Sequence, residues 1–117
     1  MNEIKLNALL DLIRSNKGFT ATYKGTPMNY VRGYIVSLEG FETKIDINNL
    51  EEIKTEIKRY SQLAKSHQMN IGAWVHQDKV YLDLSERYYT AEEAIKQAKK
   101  NHQLAEFNCR TKQVEAI

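Results

Sequence analysis

Aromatic side chains and one arginine cluster on and just after a predicted hairpin in the second half of the chain. Aromatic residues interleaved with arginine stack on nucleic-acid bases. The same residue types anchor protein interfaces, where Trp, Tyr and Arg carry much of the binding energy. They also occur as core and boundary residues of small α+β domains, so three interpretations stay open. If one surface of this protein is functional, we expect a partner there to contact Trp74, Tyr81, Arg87, Tyr88 and Tyr89.

Lysines on two predicted helices form the second set of residues suited to binding. At 100° per residue, Lys54, Lys58 and Lys65 fall within about 40° of one another on the second helix. A spaced row of cations suffices to contact phosphates, and it also steers a protein partner by charge. A solvated helix face explains the same row. The lysines predicted as a nucleic-acid contact or an electrostatic rim are Lys54, Lys58, Lys65, Lys96 and Lys100.

Signatures of catalysis are absent from the sequence, which has no glycine-rich phosphate loop, no G-x-S-x-G and no H-E-x-x-H. His67, His76 and His102 lack the spacing of metal ligands. His102 falls on the apolar side of the third predicted helix, so we expect a core or boundary residue. We predict a protein without enzymatic activity, metal or cofactor. A small enzyme is the third interpretation, with an acidic site assembled from Asp46, Asp78, Asp83 and Glu86.

The composition is that of one soluble domain spanning residues 1–117. Hydrophobic residues make up 42% and charged residues 27%, which is close to the usual globular mix and argues against disorder. The net charge of +2, from 17 basic and 15 acidic residues, is too small to mark a nucleic-acid binder and disfavours an acidic DNA mimic. No apolar run approaches the roughly 20 residues that span a bilayer, so we expect no membrane partner.

Cysteine usage and the N-terminal segment both indicate a cytoplasmic protein. Cys109 is the only cysteine, which excludes an intrachain disulfide and fits a reducing compartment. It alternates with Phe107, so we predict a small residue in or beside a strand rather than a reactive thiol. Polar residues interrupt the first apolar residues and leave no core for a signal peptide.

The pattern of the first half of the chain predicts one helix followed by a meander of strands. Apolar residues at 3–4 spacing predict a helix over 3–16, with Gly18 as its C-terminal stop. Turn signals follow at Gly25-Thr26-Pro27 and at Glu39-Gly40. These signals separate three predicted strands, over 19–24, 30–38 and 41–47.

Two capping boxes organise the second half. Asn49 with Glu52 opens a second helix that ends near 66–68, and Thr90 with Glu93 opens a third helix to about Asn101. Between them, Gln77-Asp78 joins two strands as a hairpin. The strands of this half are predicted over 70–76, 80–84, 105–109 and 114–117.

These elements predict an α+β domain in the order α-βββ-α-ββ-α-β(β). Short connections and hairpins favour a mainly antiparallel sheet with three helices packed on one face. An edge strand of such a sheet needs covering, so a homodimer is one expected assembly.

Three segments together resemble small accessory proteins of phages and integrated mobile elements of Gram-positive bacteria. They are Gly18-Phe-Thr-Ala-Thr-Tyr-Lys-Gly-Thr-Pro with Gly33-Tyr-Ile-Val-Ser, then Ile71-Gly-Ala-Trp-Val and Val80-Tyr-Leu-Asp-Leu-Ser85, then Thr90-Ala-Glu-Glu-Ala-Ile and Asn101-His-Gln103. The resemblance covers residues 18–109, and its motifs belong to the fold rather than to catalysis. It implies a non-enzymatic protein in the cytoplasm of a bacterial host.

Small proteins of such elements often bind host restriction or CRISPR effectors, so the resemblance also implies an inhibitor of a defence nuclease, an anti-CRISPR-like role. Our first hypothesis is a module that occupies the surface of a host protein. Desolvated aromatic residues would supply the affinity and lysines would steer the encounter. The alternative is direct nucleic-acid binding through the lysine-bearing helices, with affinity that falls steeply with salt.

Overall fold

The computed structural model describes residues 1–103 and 105–117, which form three helices and one six-stranded sheet. The strands lie in the order β1-β3-β4-β2-β5-β6, and every neighbouring pair is antiparallel. The predicted α+β class and order of elements are confirmed, with the second and third predicted strands joined into one. The elements are α1 (Glu3–Asn16), β1 (Gly18–Ala21), β2 (Tyr34–Asp46), α2 (Leu50–His67), β3 (Asn70–His76), β4 (Lys79–Tyr88), α3 (Ala91–Lys100), β5 (Ala105–Asn108) and β6 (Gln113–Ala116).

The helices begin where the capping residues predict. The side chain of Asn49 accepts a hydrogen bond from the backbone N–H of Glu52 at 3.3 Å, and Thr90 Oγ1 accepts one from the N–H of Glu93 at 3.2 Å. Each bond satisfies a donor that the first turn of a helix leaves without an intrahelical partner. None of the described helices is long and apolar enough to cross a membrane.

Helix α1 ends at Asn16 as predicted, but the residue that closes it is Lys17 and not the expected Gly18. Lys17 adopts the left-handed conformation, with φ 61°, and its backbone N–H donates to the Leu12 carbonyl. Gly18 instead begins β1, where it pairs with Trp74 of β3. The C-cap of the helix is therefore Lys17, and Gly18 is the first residue of β1.

The strands predicted over 30–38 and 41–47 are the two paired halves of the single strand β2. Ser37 pairs with Ser85 of β4, whereas Glu42 pairs with Asp83. Residues 38–41 therefore lie opposite a single β4 residue and form a bulge, which bends the strand without reversing it. Both Leu38 and Phe41 pack against the main core, so burial of two apolar side chains favours the bulge over the predicted turn at Glu39-Gly40.

All three helices pack on one face of the sheet. Alternate β4 residues Val80, Leu82 and Leu84 are fully buried and form a core with α1 and α2. Val36 of β2 pairs with Glu86, which lies on the same side of β4 as Leu84. Because Val36 packs against Ala94 and Ala98 of α3, the third helix lies on this face too, as predicted.

Candidate functional site

The sheet has a second face that none of these helices covers, which we call the open face. Side chains of a strand alternate between the two faces. The β4 residues Tyr81, Asp83, Ser85 and Arg87 therefore lie on the open face, opposite the buried Val80–Leu84 row. Trp74 of β3 pairs with Tyr81 and lies there as well. Three of the five predicted partner-binding residues, Trp74, Tyr81 and Arg87, thus share one surface.

Trp74 and Tyr81 form a stacked pair, which we call the aromatic pair. Their ring centroids are 4.3 Å apart and their planes differ by 13°. Trp74 is 42% exposed, and the His76 ring lies 5.8 Å from it. Stacked aromatic pairs contribute about 0.5–1.5 kcal/mol beyond the burial of their area. The pair therefore presents a rigid apolar platform to solvent.

Arg87 lies against two tyrosines, and we call the set of Tyr30, Arg87 and Tyr89 the arginine clamp. The guanidinium carbon is 4.1 Å from the ring centroid of Tyr30 and 4.4 Å from that of Tyr89. Arg87 Nη2 also donates a hydrogen bond to Tyr89 Oη at 2.6 Å. Cation–π contacts of this kind contribute about 0.5–2 kcal/mol each, depending on exposure. The clamp fixes a side chain that is otherwise among the most mobile on a protein surface.

Tyr30 is a residue of the open face that the sequence did not reveal. It precedes β2 instead of opening the strand predicted over 30–38. Its hydroxyl accepts a hydrogen bond from Asn70 Nδ2 at 3.1 Å, and its carbonyl accepts one from Lys112 Nζ. These partners come from distant parts of the chain, so no local pattern announces them.

Tyr88 does not belong with the other predicted anchors. Strand alternation turns it to the helix side, where it pairs with Tyr34 and packs against the small core cluster under α3. Burial and the neighbouring Glu86 carboxylate raise the pKa of its hydroxyl. Tyr88 is therefore a packing residue, while Tyr89, the next residue, extends the open face.

Asp83 lies between the aromatic pair and the arginine clamp and is only 6% exposed. Its Oδ2 accepts a hydrogen bond from Ser37 Oγ at 2.9 Å. Its Oδ1 has no hydrogen-bond partner among the described residues, and neither does the buried hydroxyl of Ser85. Burial, helped by the charge of Glu42 on the paired strand, raises the pKa of Asp83 to about 6 against the lowering effect of the Ser37 bond.

The acidic residues considered for an enzymatic site do not converge. Asp83 lies on the open face, whereas Glu86 lies on the helix side, where its carboxylate accepts a bond from Tyr88 Oη. Asp46 pairs with Lys79 at 3.2 Å, and backbone and lysine hydrogen bonds lower its pKa. Within residues 1–103 and 105–117, no three His, Cys, Asp or Glu side chains are placed to hold a metal ion.

The predicted lysine row is partly neutralised by neighbouring carboxylates. Lys58 Nζ lies 3.3 Å from a Glu3 oxygen of α1, and Lys54 Nζ lies 3.9 Å from a Glu51 oxygen. Both lysines belong to α2, across the sheet from Trp74. They therefore do not surround the aromatic pair as an electrostatic rim would.

The remaining predicted lysines also lie on helices of the covered face. Lys65 lines a cleft of about 400 Å³ with Lys5 and Lys24, and its Nζ is 5.8 Å from the Tyr23 ring. The two predicted lysines of α3, Lys96 and Lys100, are exposed to solvent on the helix side of the sheet.

The prediction for His102 is wrong, whereas the prediction for Cys109 is confirmed. His102 lies beyond the end of α3 with φ 54°, and its exposed ring is 2.8 Å from a Glu39 carboxylate oxygen. The expectation of a core or boundary histidine is therefore wrong, because α3 ends before its apolar side reaches residue 102. Cys109 is fully buried directly after β5, as expected of a small residue beside a strand, and burial raises the pKa of its thiol.

Comparison of the chain with protein-family models, with curated protein sequences and with solved structures gives no match. A function must therefore be inferred from the geometry of the open face. That face combines an exposed aromatic pair, a fixed arginine and a buried carboxyl within one continuous sheet surface.

Proposed function

We propose that this protein is a non-enzymatic accessory binding protein that acts by occupying the surface of a host protein with its open face. The observation that supports the proposal is an exposed, stacked Trp74–Tyr81 pair on a sheet face that no described helix covers. Exposed aromatic residues next to arginine are the residue types that dominate binding energy at protein interfaces. Their position on paired strands lets them bind without reorganising, which lowers the cost of association.

The origin and location of the protein enter the proposal through its resemblance to accessory proteins of phages and mobile elements. We propose that it acts in the cytoplasm of a bacterial host and that its partner is a defence nuclease. Occupying the substrate-binding surface of such an enzyme requires affinity and shape but no catalytic group. An anti-CRISPR-like inhibitor would therefore need only the kind of surface described above.

The distribution of charge favours a protein partner over a nucleic acid on the open face. Lys44 pairs with Tyr81, and Arg87 lies further along β4. Between them, Glu42 lies directly opposite Asp83 on the neighbouring strand. A phosphate backbone that crossed the face would meet these carboxyl groups in the middle, where like charges repel. A protein surface can match such a mixed pattern residue by residue.

The proposal is tested by capture of partners from a bacterial lysate with two matched variants. Trp74→Ala removes half of the aromatic pair, and Ile4→Ala removes an 81% exposed apolar side chain from α1, across the sheet. We expect the wild type and Ile4→Ala to retain the same protein after nuclease treatment, and Trp74→Ala to lose it. Circular dichroism and thermal melting check that both variants fold.

The retained protein is then purified and its dissociation constant measured by calorimetry. Loss of a central tryptophan is expected to weaken binding by about 30-fold or more, which corresponds to about 2 kcal/mol. Equal binding by Trp74→Ala would exclude the open face. Retention that disappears with nuclease treatment and falls steeply with salt would instead support direct nucleic-acid binding through the lysine-bearing helices.

A further inference from the structure

We propose that the arginine clamp is a carboxylate-binding site that takes an Asp or Glu side chain of the partner protein. The inference rests on the proposed function and names the chemistry by which the open face recognises its partner. It concerns Tyr30, Arg87 and Tyr89, which lie at the opposite end of β4 from the aromatic pair.

The clamp leaves most of the arginine's hydrogen-bonding capacity unused. A guanidinium has five N–H donors in a fixed planar arrangement. Only the bond from Nη2 to Tyr89 Oη is made within the described residues, and Arg87 forms no ion pair there. The two tyrosine rings hold the group in place. Because the Arg87 side chain is already ordered, binding a ligand costs little of the conformational entropy that a free arginine would lose.

One side of the clamp on the open face is apolar. Ile35 of β2 pairs with Arg87, and Phe107 of β5 and Val114 of β6 continue the same row across the sheet. Val114 is an exposed hydrophobic residue. When a partner covers this row, water is excluded around the guanidinium, and charge-assisted hydrogen bonds become stronger in such surroundings.

A second cation lies beside the clamp. Lys112 Nζ donates to the Tyr30 carbonyl and lies 3.4 Å from Asn29 Oδ1. Both of these acceptors are neutral, so neither of them offsets the positive charge of the lysine. The bond to the Tyr30 carbonyl places the Lys112 ammonium next to one of the two rings that hold Arg87. Neither cation forms an ion pair with any residue that the structure describes, and two such charges near one point of the surface attract an anion.

Carboxylate and phosphate both fit the planar fork of a guanidinium. The carboxyl groups of Glu42 and Asp83 lie further along the open face and disfavour a continuous phosphate backbone. A single carboxylate on a protein surface reaches the clamp without crossing them. The charge pattern therefore favours an acidic side chain of a protein.

The site is tested by NMR titration of the ¹⁵N-labelled full chain with a hexaglutamate peptide, with a hexathymidylate oligonucleotide of similar charge in parallel. We expect hexaglutamate to shift the Nε–H resonance of Arg87 and the amide resonances of Tyr30 and Tyr89 in a saturable way. Arg87→Lys keeps the charge but loses the planar fork, and should weaken binding about tenfold. Arg14→Lys, on α1 across the sheet, is the matched control and should bind as the wild type does.

Several outcomes would overturn the assignment of the clamp as a carboxylate site. The absence of a saturable response at Arg87, or equal binding by Arg87→Lys, would exclude a carboxylate site. Tighter binding of the oligonucleotide than of hexaglutamate would assign the clamp to phosphate. If Arg87→Lys does not fold, Tyr89→Phe keeps the ring and removes the hydroxyl that orients Nη2. Unchanged binding by Tyr89→Phe would then exclude the clamp. A saturable response of the wild type, combined with capture that does not depend on Trp74, would overturn the proposed function alone.

Discussion

The carboxylate of Asp83 lies directly over the bare backbone of Gly72 on the neighbouring strand. A Cβ atom built on Gly72 would lie 2.1 Å from Oδ1 of Asp83, far inside van der Waals contact. The two residues are paired in the register of β3 and β4. The buried carboxyl group therefore has its place on the open face because the opposite residue has no side chain.

This contact predicts that the destabilisation caused by Gly72→Ala depends strongly on whether the Asp83 side chain is present. Gly72→Ala should lower the free energy of unfolding by about 1–3 kcal/mol, the usual cost of overpacking. In an Asp83→Ala background the same change should cost less than about 1 kcal/mol, because the overlapping carboxylate is gone. Urea denaturation of the four proteins in this double-mutant cycle measures the coupling. Purely additive effects would show that the two side chains do not compete for one space.

The raised pKa of Asp83 predicts that stability falls as pH rises. The carboxyl group has a pKa of about 6 in the folded chain, against an ordinary value of 3.8. The folded state therefore binds the proton more tightly, so its advantage is complete below about pH 4 and is lost as pH rises through about 6. The difference corresponds to a free energy of unfolding on the order of 3 kcal/mol.

Asp83→Asn removes this titration while it keeps the shape of the side chain. The variant should be more stable than the wild type above about pH 7, and the gain should vanish near pH 4. Urea unfolding of both proteins across this range gives the difference directly, and other carboxyl groups cancel in it. A constant difference between the two curves would mean that Asp83 titrates normally.

Two glycines with positive φ are expected to respond differently to alanine. Gly40, at φ 85°, has no atom within 4 Å of the position that an added Cβ would take, whereas Gly33, at φ 91°, would place its Cβ 2.7 Å from the Tyr88 carbonyl. Both substitutions cost about 1–2 kcal/mol of backbone strain. Only Gly33→Ala adds a steric overlap, and it also meets the side chain of Arg87.

Gly33→Ala should therefore lower the free energy of unfolding by at least about 1 kcal/mol more than Gly40→Ala. It should also move the Nε–H resonance of Arg87, because the clamp must shift. Urea denaturation and a ¹⁵N spectrum of each variant check both effects. Equal losses, with the Arg87 resonance unmoved, would contradict the packing described around Gly33.

Two substitutions in the hairpin turn between β3 and β4 are predicted to stabilise the protein. Gln77 and Asp78 both have positive φ, 49° and 61°, as a type I′ turn requires, and Asn-Gly is the favoured pair for this turn. Replacing both residues, Gln77→Asn with Asp78→Gly, should raise the free energy of unfolding by about 1 kcal/mol. Thermal melting measures the gain, and Gln77→Ala serves as a control that should lower it. A lower melting temperature for the Asn-Gly variant would contradict this turn geometry.

The sequence alone determines the features that depend on residues close together in the chain. The limits of α1, the caps Asn49 and Thr90, and the hairpin at Gln77-Asp78 were all predictable and are confirmed. Strand alternation also separates the buried row of β4 from Tyr81 and Asp83. Each of these features follows from hydrogen bonds or side-chain periodicity within a few residues, so its signal is local.

The tertiary structure decided which segments meet. The bulge in β2, the contact of Tyr30 with Arg87 and the burial of Asp83 over Gly72 all join residues distant in sequence. The division of Tyr88 and Tyr89 between the two faces depends on how β4 pairs with its neighbours. Such contacts are chosen by the burial of apolar area across the whole sheet, and no short stretch of sequence records that choice.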